Sequence, residues 1–293
     1  MRKTLAFDID GTLINRKGEL LPEVFPIFQN KKIIDCNLIF ATGNFKSTTQ
    51  ALWEKLIFNF PYMKSMKPYF ASATGSIIYN PDGKILYEYY LDKEKLIKII
   101  KEIYKIDPDC DLLFGTENMV YVPYPKTDKK VADFEAFIQH EKNKGELGIP
   151  LTMEHKTAEQ IINGKEDILC VFIFNCSKKE IVYPLLLKEF NKEEYGIYWD
   201  KFLDIISMTA GTKWKALKTI VDCEKKHPIL QDFTTNPKDI YYFGDDANDI
   251  ECLKNCKFSV ARGGERLKQE VIESGKYHAD DLTEITKIIF EEK

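Results

Sequence analysis

Four aspartates, in two short segments near opposite ends of the chain, have the residue type and spacing for metal-dependent chemistry. Asp8 and Asp10 stand in an Asp-x-Asp-Gly-Thr segment directly after the apolar run 4–7, and Asp245 and Asp249 follow a second apolar run. Two carboxylates one residue apart in a turn repel each other unless a cation is bound. Mg²⁺ prefers hard oxygen ligands and usually binds one or two carboxylates. The first segment therefore predicts a magnesium site.

Each segment also has a purely structural interpretation. The first could be an ordinary turn after a strand, with Gly11 supplying a positive φ. The second could be a helix N-terminus, where Asp245 and Asp249 would interact favourably with the helix dipole. Because both segments occur in one chain, each at the end of an apolar run, a shared site is favoured over two unrelated turns.

Two smaller segments could bind an anion. Thr42 and Gly43 end an apolar run and precede a helical pattern, so the Thr42 hydroxyl and nearby backbone N–H groups could face a phosphate. Lys213 stands where another helical pattern begins. It is a candidate phosphate ligand, since an ammonium binds phosphate as a point charge.

Apolar runs and helical patterns alternate at both ends of the chain, and the elements they predict must position these residues. The alternation predicts βαβ units and a doubly wound parallel sheet, so the fold class is α/β with a Rossmann-like core. In such sheets, ligands bind at the carboxyl ends of the strands. The predicted strands are 4–7, 38–41, 240–243 and 257–260, and the predicted helices are 44–58, 246–254, 265–273 and 282–290.

The middle of the chain has a different pattern. An Asn-Pro-Asp-Gly turn at 80–83 joins two strand-like runs, and further strand pairs alternate with helical patterns such as 131–142. We therefore predict a core formed by 1–86 and 208–293, with an inserted α+β cap at 87–207.

Composition narrows the classes of function. Of the 293 residues, 42 are basic and 46 acidic, which gives a net charge of −4, and only four of the basic residues are arginines. Such a chain is a poor candidate for nucleic-acid binding, because arginine is the usual reader of guanine edges. No signal-peptide pattern is visible, and no apolar run approaches the ~18–20 residues of a membrane span. We expect a cytoplasmic protein without nucleic-acid or membrane partners, and the sequence does not indicate its oligomeric state.

In this order, the segments resemble the haloacid dehalogenase (HAD) superfamily of phosphohydrolases. The resemblance covers the whole chain in layout and is most specific at 8–13 and 240–261. The inserted block lies between the Thr-Gly segment and Lys213, which is similar to the type IIB cap of the Cof-like hydrolases. The resemblance implies a phosphatase whose substrate is a small phosphorylated metabolite, a sugar phosphate or similar.

The resemblance assigns catalytic roles to the first two aspartates. Asp8 would be the nucleophile that forms an aspartyl-phosphate intermediate. Asp10 would protonate the leaving alkoxide and then deprotonate the water that hydrolyses the intermediate.

The resemblance also implies a cofactor and the ligands of the phosphoryl group. The cofactor would be Mg²⁺, held by the Asp8 carboxylate, the Asp10 backbone carbonyl and Asp245, with Asp249 close by or acting through water. The transferring phosphoryl group would be bound by Thr42, Gly43, Lys213 and Asn248.

Three positions depart from the pattern of the family. Asn44 stands where relatives often carry arginine, Thr74 precedes Gly75 where they often carry asparagine, and Trp214 follows the lysine where they often carry glycine. None of these changes removes a catalytic carboxylate, so the chemistry should be retained. We expect all three positions to lie where substrate or cap meets the core, so the identity of the leaving group stays open.

Two alternatives to a phosphatase remain. A phosphomutase-type phosphotransferase would use the same aspartyl-phosphate but return the phosphoryl group to a sugar. A non-catalytic protein could instead bind a phosphorylated metabolite on the same scaffold, although the presence of all four aspartates disfavours this.

Overall fold

A computed structural model of the chain describes most of its residues. The described residues are 2–15, 17–117, 119–122, 139, 151–153, 157–192, 194–200, 204–263 and 267–291. No helix among them is long and apolar enough to cross a membrane.

Strands and helices alternate along much of the described chain. The strands are β1 (Thr4–Phe7), β2 (Asn37–Ala41), β3 (Tyr69–Ser72), β4 (Ile77–Tyr79), β5 (Ile85–Glu88), β6 (Asp111–Gly115), β7 (Val120–Val122), β8 (Leu151–Met153), β9 (Cys170–Phe174), β10 (Gly196–Asp200), β11 (Ile205–Thr209), β12 (Tyr241–Gly244), β13 (Phe258–Arg262) and β14 (Tyr277–Ala279). The α-helices are α1 (Phe25–Gln29), α2 (Lys46–Asn59), α3 (Lys93–Ile106), α4 (Ala158–Ile162), α5 (Lys179–Glu189), α6 (Lys213–Lys226), α7 (Ile250–Asn255), α8 (Gln269–Ile272) and α9 (Thr283–Phe290).

Eight of the described strands form one sheet, in the order β14-β13-β12-β1-β2-β3-β4-β5. The pairs from β14 to β3 are parallel, and β3-β4 and β4-β5 are antiparallel. From β1 the chain continues outward to β2 and β3 on one side, and it returns to β12 on the other. β1 therefore lies at the switch point of a doubly wound sheet, where open α/β folds bind their ligands. The predicted α/β fold class is confirmed.

Helices cover both faces of this sheet, as buried parallel strands require. Alternate residues of β1 separate the two layers: Leu5 and Phe7 belong to a cluster with helices α1, α2 and α9, whereas Ala6 faces α6 and α7. The ring of Phe7 stacks on that of Phe243 with centroids 4.6 Å apart. This packing fixes β1 against β12, so the loops that follow these two strands are held side by side.

Six more described strands form a second sheet, in the order β10-β11-β9-β6-β7-β8. Adjacent strands in this sheet are antiparallel, except for the parallel pair β7-β8. Helices α3 and α5 pack on one face. On the other face, Leu113 and Cys170 join the core cluster that contains Phe45, so this sheet packs against the eight-stranded unit.

The predicted division into core and cap can be compared with the two sheets. The boundaries after 86 and 207 each fall within a strand: β5 ends in the eight-stranded sheet, and β11 belongs to the six-stranded one. The division into a core of 1–86 and 208–293 and a cap of 87–207 stays a prediction.

Most of the predicted elements occur, with shifted ends. The helix predicted at 246–254 divides into a 3₁₀ turn, Ala247–Asp249, followed by α7, and the helix predicted at 265–273 is the shorter α8. The helix predicted at 131–142 lies outside the described residues, apart from position 139.

Candidate active site

The loops after β1 and β12 form the centre of the site. The strands pair in parallel with Phe7 opposite Phe243, and the Asp8 N–H extends the ladder by donating to the Phe243 carbonyl at 2.9 Å. The next residues of both strands therefore leave the sheet together. This register brings the aspartates of two segments more than 230 residues apart into one place.

Three carboxylates meet there. Asp8, Asp245 and Asp249 each offer an oxygen, and these oxygens all lie within 4.8 Å of one another. The ammonium of Lys213 is fully buried between two of them, with Nζ 2.6 Å from Asp8 Oδ1 and 2.7 Å from Asp249 Oδ1. The predicted lysine thus joins the predicted aspartates, through its position at the first residue of α6.

Asp249 is held by four donors. Its Oδ1 accepts hydrogen bonds from Lys213 Nζ and the Tyr242 hydroxyl, and its Oδ2 accepts from the backbone N–H groups of Asp245 and Asp246, each at 3.1 Å. With both oxygens so engaged, Asp249 fixes the loop and the lysine. Direct ligation of a metal would fall first to Asp8 and Asp245.

The charges of the cluster do not balance. Burial raises the pKa of Asp8 well above its ordinary value, and repulsion from Asp249 and Asp245 adds to this against the attraction of Lys213. Burial also raises the pKa of Asp245 to about 7, with repulsion from Asp249 adding to it. One ammonium leaves two negative charges uncompensated when all three carboxylates are ionised. A divalent cation with oxygen ligands fits this donor set in charge and chemistry.

Lys213 stays charged in this setting. Burial opposes its ionised form, but the charges of Asp249 and Asp8 outweigh burial and raise its pKa above the usual range. It is held in place because Thr212 caps α6, its hydroxyl accepting from the Lys215 N–H at 3.0 Å.

Two glycines allow the loops to approach closely. Gly11 has φ +78°, and a Cβ there would lie 2.0 Å from Asp245 Oδ2. A Cβ at Gly244 would lie 2.4 Å from the Asp249 carboxyl carbon. Thr12, which follows Gly11, donates to Asp245 Oδ1 at 2.8 Å. This hydrogen bond ties the loop after β1 to the loop after β12.

The loop after β2 borders the cluster on its other side. Thr42 is fully buried, and its hydroxyl accepts from the Asn44 N–H at 3.1 Å. The Asn44 side-chain amide donates to Asp10 Oδ2. The structure thus brings the predicted residues Thr42 and Asp10 together through a residue that the sequence marked only as a departure from the family.

A left-handed turn after β3 holds the loop after β2 by hydrogen bonds. Ala73, Thr74 and Gly75 have φ values of +47°, +56° and +83°. The N–H groups of Ala73 and Thr74 donate to the carbonyls of Asn44 and Thr42, at 2.7 Å and 2.8 Å. A Cβ at Gly75 would lie 2.5 Å from the Thr212 carbonyl, so the turn also touches the start of α6.

The remaining predicted residues lie at the margins of the site. Gly43 is half-buried, and the Thr74 hydroxyl would be 3.7 Å from a Cβ there. Asn248 follows the 245–246 loop, and its Oδ1 is buried with no hydrogen-bond partner in the described part of the chain. Trp214 belongs to the hydrophobic cluster between α6 and the sheet.

Sequence reasoning missed Tyr242 and gave Arg262 no firm role. Tyr242 is fully buried within β12, and the sequence shows it only as one residue of an apolar run. Arg262 ends β13, where its Nη1 donates to the Gly11 carbonyl at 2.9 Å and its Nη2 lies 3.7 Å from Glu23. Arg262 therefore ties the loop after β1 to the end of β13.

The sequence as a whole matches a known family. A model of the haloacid dehalogenase-like hydrolases matches residues 5–281. The chain belongs to the haloacid dehalogenase-like hydrolase family. The resemblance to Cof-like HAD hydrolases is thereby confirmed.

Individual HAD relatives are distant. Over 98 residues the chain is 24% identical to phosphatase YwpJ of Bacillus subtilis (strain 168), an alignment that spans 33% of this chain and 32% of that protein. Among solved structures, the HAD subclass IIB sugar phosphatase BT4131 is 18% identical with a TM-score of 0.70, covering 98% of each chain. A haloacid dehalogenase-like hydrolase from B. subtilis is 16% identical with a TM-score of 0.70, covering 99% of each chain. At these identities the two structures establish the fold.

Proposed function

We propose that this HAD-family protein is a Mg²⁺-dependent phosphatase that hydrolyses small phosphorylated metabolites through a phosphorylated Asp8. The observation that carries the proposal is the buried Asp8–Lys213–Asp249 array beside Asp245, at the switch point of the sheet. A turn or a helix cap alone would not bury two carboxylates against one lysine with a third carboxylate beside them, because burying unbalanced charge is unfavourable.

The proposed metal ligands are Asp8, Asp245 and the Asp10 backbone carbonyl, with Asp249 acting on the metal through water or through its neighbours. When bound, Mg²⁺ would supply the positive charge that lets a carboxylate approach an anionic phosphoryl group. The hydrogen bond from Thr12 orients the Asp245 carboxylate for this role.

Phosphoryl transfer to Asp8 would be the first step. Lys213 holds Asp8 Oδ1 in one orientation at 2.6 Å, and the other carboxylate oxygen would attack phosphorus. Thr42, Gly43, Lys213 and Asn248 would bind the oxygens of the phosphoryl group as the charge on them changes.

Proton transfers would fall to Asp10. It would give its proton to the leaving oxygen in the first step, and it would take one from the attacking water in the second. Its carboxyl group is held by Asn44, whose N–H also binds the Thr42 hydroxyl.

The unit carrying the six-stranded sheet, predicted as 87–207, would act as the cap. It packs on the loop after β2 at Phe45, since a Cβ at Gly115 of β6 would lie 2.7 Å from the Phe45 ring. A cap in this position would cover the phosphoryl site, exclude water and contact the leaving group.

A direct assay tests the proposal. The purified protein is given p-nitrophenyl phosphate and a panel of phosphorylated metabolites, with Mg²⁺ or with a chelator, and inorganic phosphate is measured. We expect Mg²⁺-dependent phosphate release, and a loss of about a thousandfold or more in Asp8→Asn, because the nucleophile is removed. Asp239→Asn, at a half-buried aspartate paired with Lys257 outside the cluster, is the matched control and should retain wild-type rates.

Three outcomes would contradict the proposal. These are undiminished turnover in Asp8→Asn, undiminished turnover without metal, or no turnover of any compound. Formation of a phosphate isomer in place of inorganic phosphate would instead identify a mutase.

A further inference from the structure

Asn44 lies in a loop, but it is buried and its backbone and side chain both make hydrogen bonds. It is 6% exposed, and each of its backbone polar groups has a partner: the N–H donates to Thr42 Oγ1 and the carbonyl accepts from the Ala73 N–H. Its side-chain nitrogen donates to Asp10 Oδ2. When Asp10 is ionised it can only accept, so the amide presents its nitrogen to Asp10 Oδ2. The side chain therefore has one orientation.

We infer that Asn44 is a positioning residue for Asp10. This inference rests on the proposed function, in which Asp10 transfers protons. Asp10 is half-buried, and the hydrogen bond from the Gly11 N–H to the Ile14 carbonyl fixes the backbone of its loop but not the rotamer of its carboxyl group. The bond from Asn44 restricts rotation of the carboxyl group and ties it to the Thr42 loop.

The chemistry explains why this restraint matters. In the first step a bond forms between Asp8 and phosphorus, the bond to the leaving oxygen breaks, and the Asp10 proton moves to that oxygen. In the second step water attacks phosphorus, its proton moves to Asp10, and the bond to Asp8 breaks. The carboxyl group of Asp10 must face one place in both steps, and small misplacements of a catalytic group are costly in rate.

Asn44 is held by a turn whose backbone conformation is strained. Its carbonyl partner, the Ala73 N–H, belongs to the left-handed turn, where alanine and threonine are unfavourable. A neutral amide also orients the carboxyl group without adding a second cation to the site. Both features favour a role in placing Asp10 over a role in binding the phosphoryl charge.

The test is the dependence of kcat/KM on the leaving group, measured with Mg²⁺ on the full chain. The probes are p-nitrophenyl phosphate, phenyl phosphate and an alkyl phosphate, whose leaving groups need increasing protonation. For Asn44→Leu we expect kcat/KM to fall about 10- to 100-fold with the alkyl ester and by no more than about twofold with the p-nitrophenyl ester, since general acid catalysis contributes about 10²–10⁴. Asn44→Gln, which keeps an amide donor, should recover part of the loss.

A neighbouring variant serves as the structural control. Thr49 is fully buried in the first turns of α2 and donates to the Lys46 carbonyl at 2.8 Å, so Thr49→Val disturbs the same region without touching Asp10. Its leaving-group dependence should equal that of the wild type. An equal fall with all three esters in Asn44→Leu, or no fall, would overturn the inference. Absence of phosphate release by the wild type would instead overturn the proposed function.

Discussion

Lys213 is the residue on which the site depends most directly. A fully buried lysine is rare unless it is paired, and this one contacts two buried carboxylates at 2.6 Å and 2.7 Å. This group of one lysine and two carboxylates is costly to assemble, because all three side chains leave water. Its value lies in fixing Asp8, the proposed nucleophile, relative to the loop of Asp249 before substrate arrives.

Replacing Lys213 by methionine should therefore destabilise the protein. The two carboxylates would lose their shared cation, and breaking a buried pair by removing one partner costs about 3–5 kcal/mol. Urea unfolding at neutral pH without metal measures the change. Lys218→Met, at an exposed position of the same helix, should stay within about 0.5 kcal/mol of the wild type. Equal stability of the two variants would show that the buried pair contributes nothing.

For single residues, the sequence indicated which side chains are candidates for the site better than it indicated which side chains touch each other. Asp8, Asp10 and Asp245 could be found because their spacing at strand ends has a chemical reason. The bond from Asn44 to Asp10 could not, because it joins two loops whose separation is set by the β1-β2 register and by side-chain rotamers. Tyr242 was likewise hidden among the apolar residues of a buried strand.

Among the elements, the turn Ala73–Gly75 does most to join the parts of the site. It binds the loop of Thr42 and Asn44 on one side and touches Thr212, at the start of α6, on the other. Its left-handed backbone was not predictable, because alanine and threonine do not favour positive φ. The hairpin turn at 80–83 was predictable, because its residues favour the turn they form.

The strain of this turn can be measured. Ala73→Gly should leave the stability within about 0.5 kcal/mol of the wild type, because relief of a left-handed alanine, about 1–2 kcal/mol, is offset by the greater freedom of glycine when unfolded and by loss of a buried methyl group, about 0.8 kcal/mol. Ala71→Gly, two residues earlier in β3 and equally buried, should destabilise it by about 0.5–1 kcal/mol. Thermal or urea unfolding compares the two. A loss in Ala73→Gly as large as that in Ala71→Gly would rule out strain at this turn.

The second acidic segment shows the limit of periodicity. A continuous helix was predicted at 246–254, but Asp246 and Asp249 form a reciprocal capping box around a 3₁₀ turn, and the α-helix begins only at Ile250. The sequence does contain an aspartate three residues after Asp246, which is the spacing of such a box. The hydrophobic pattern alone did not distinguish this from a helix that begins earlier.

The site exists only in the whole molecule. Its residues come from the ends of β1, β2, β3 and β12 and from the start of α6, and they meet only when the eight-stranded sheet has formed. A ligand that binds this cluster therefore binds the folded state and not the unfolded chain, and it should raise the stability of the entire protein.

Stability and metal binding should both depend on pH through Asp245. Its pKa rises from 3.8 to about 7 on folding, so the metal-free folded state holds a proton that the unfolded chain has lost. The stability contributed by this group is present at low pH and is lost as pH rises through about 7. Metal-free protein should therefore become less stable as pH rises from 3.8 to about 7. Over the same range the stabilisation by Mg²⁺ should grow, because the cation displaces the proton on Asp245.

Unfolding curves with and without Mg²⁺ across this pH range check the expectation. In Asp245→Asn, which does not titrate, the pH dependence should flatten and the effect of Mg²⁺ should weaken. Stabilisation by Mg²⁺ that is the same at every pH would contradict the account.

The central claim is that Asp8 carries the phosphoryl group, and chemical trapping tests it most directly. The protein would be mixed with p-nitrophenyl phosphate and Mg²⁺, quenched in acid during turnover, digested and analysed by mass spectrometry. The account predicts one phosphoryl group on the peptide that contains Asp8, with none in Asp8→Asn. Sustained phosphate release by the wild type with no phosphoryl group on Asp8, in a quench fast enough to precede hydrolysis, would contradict it.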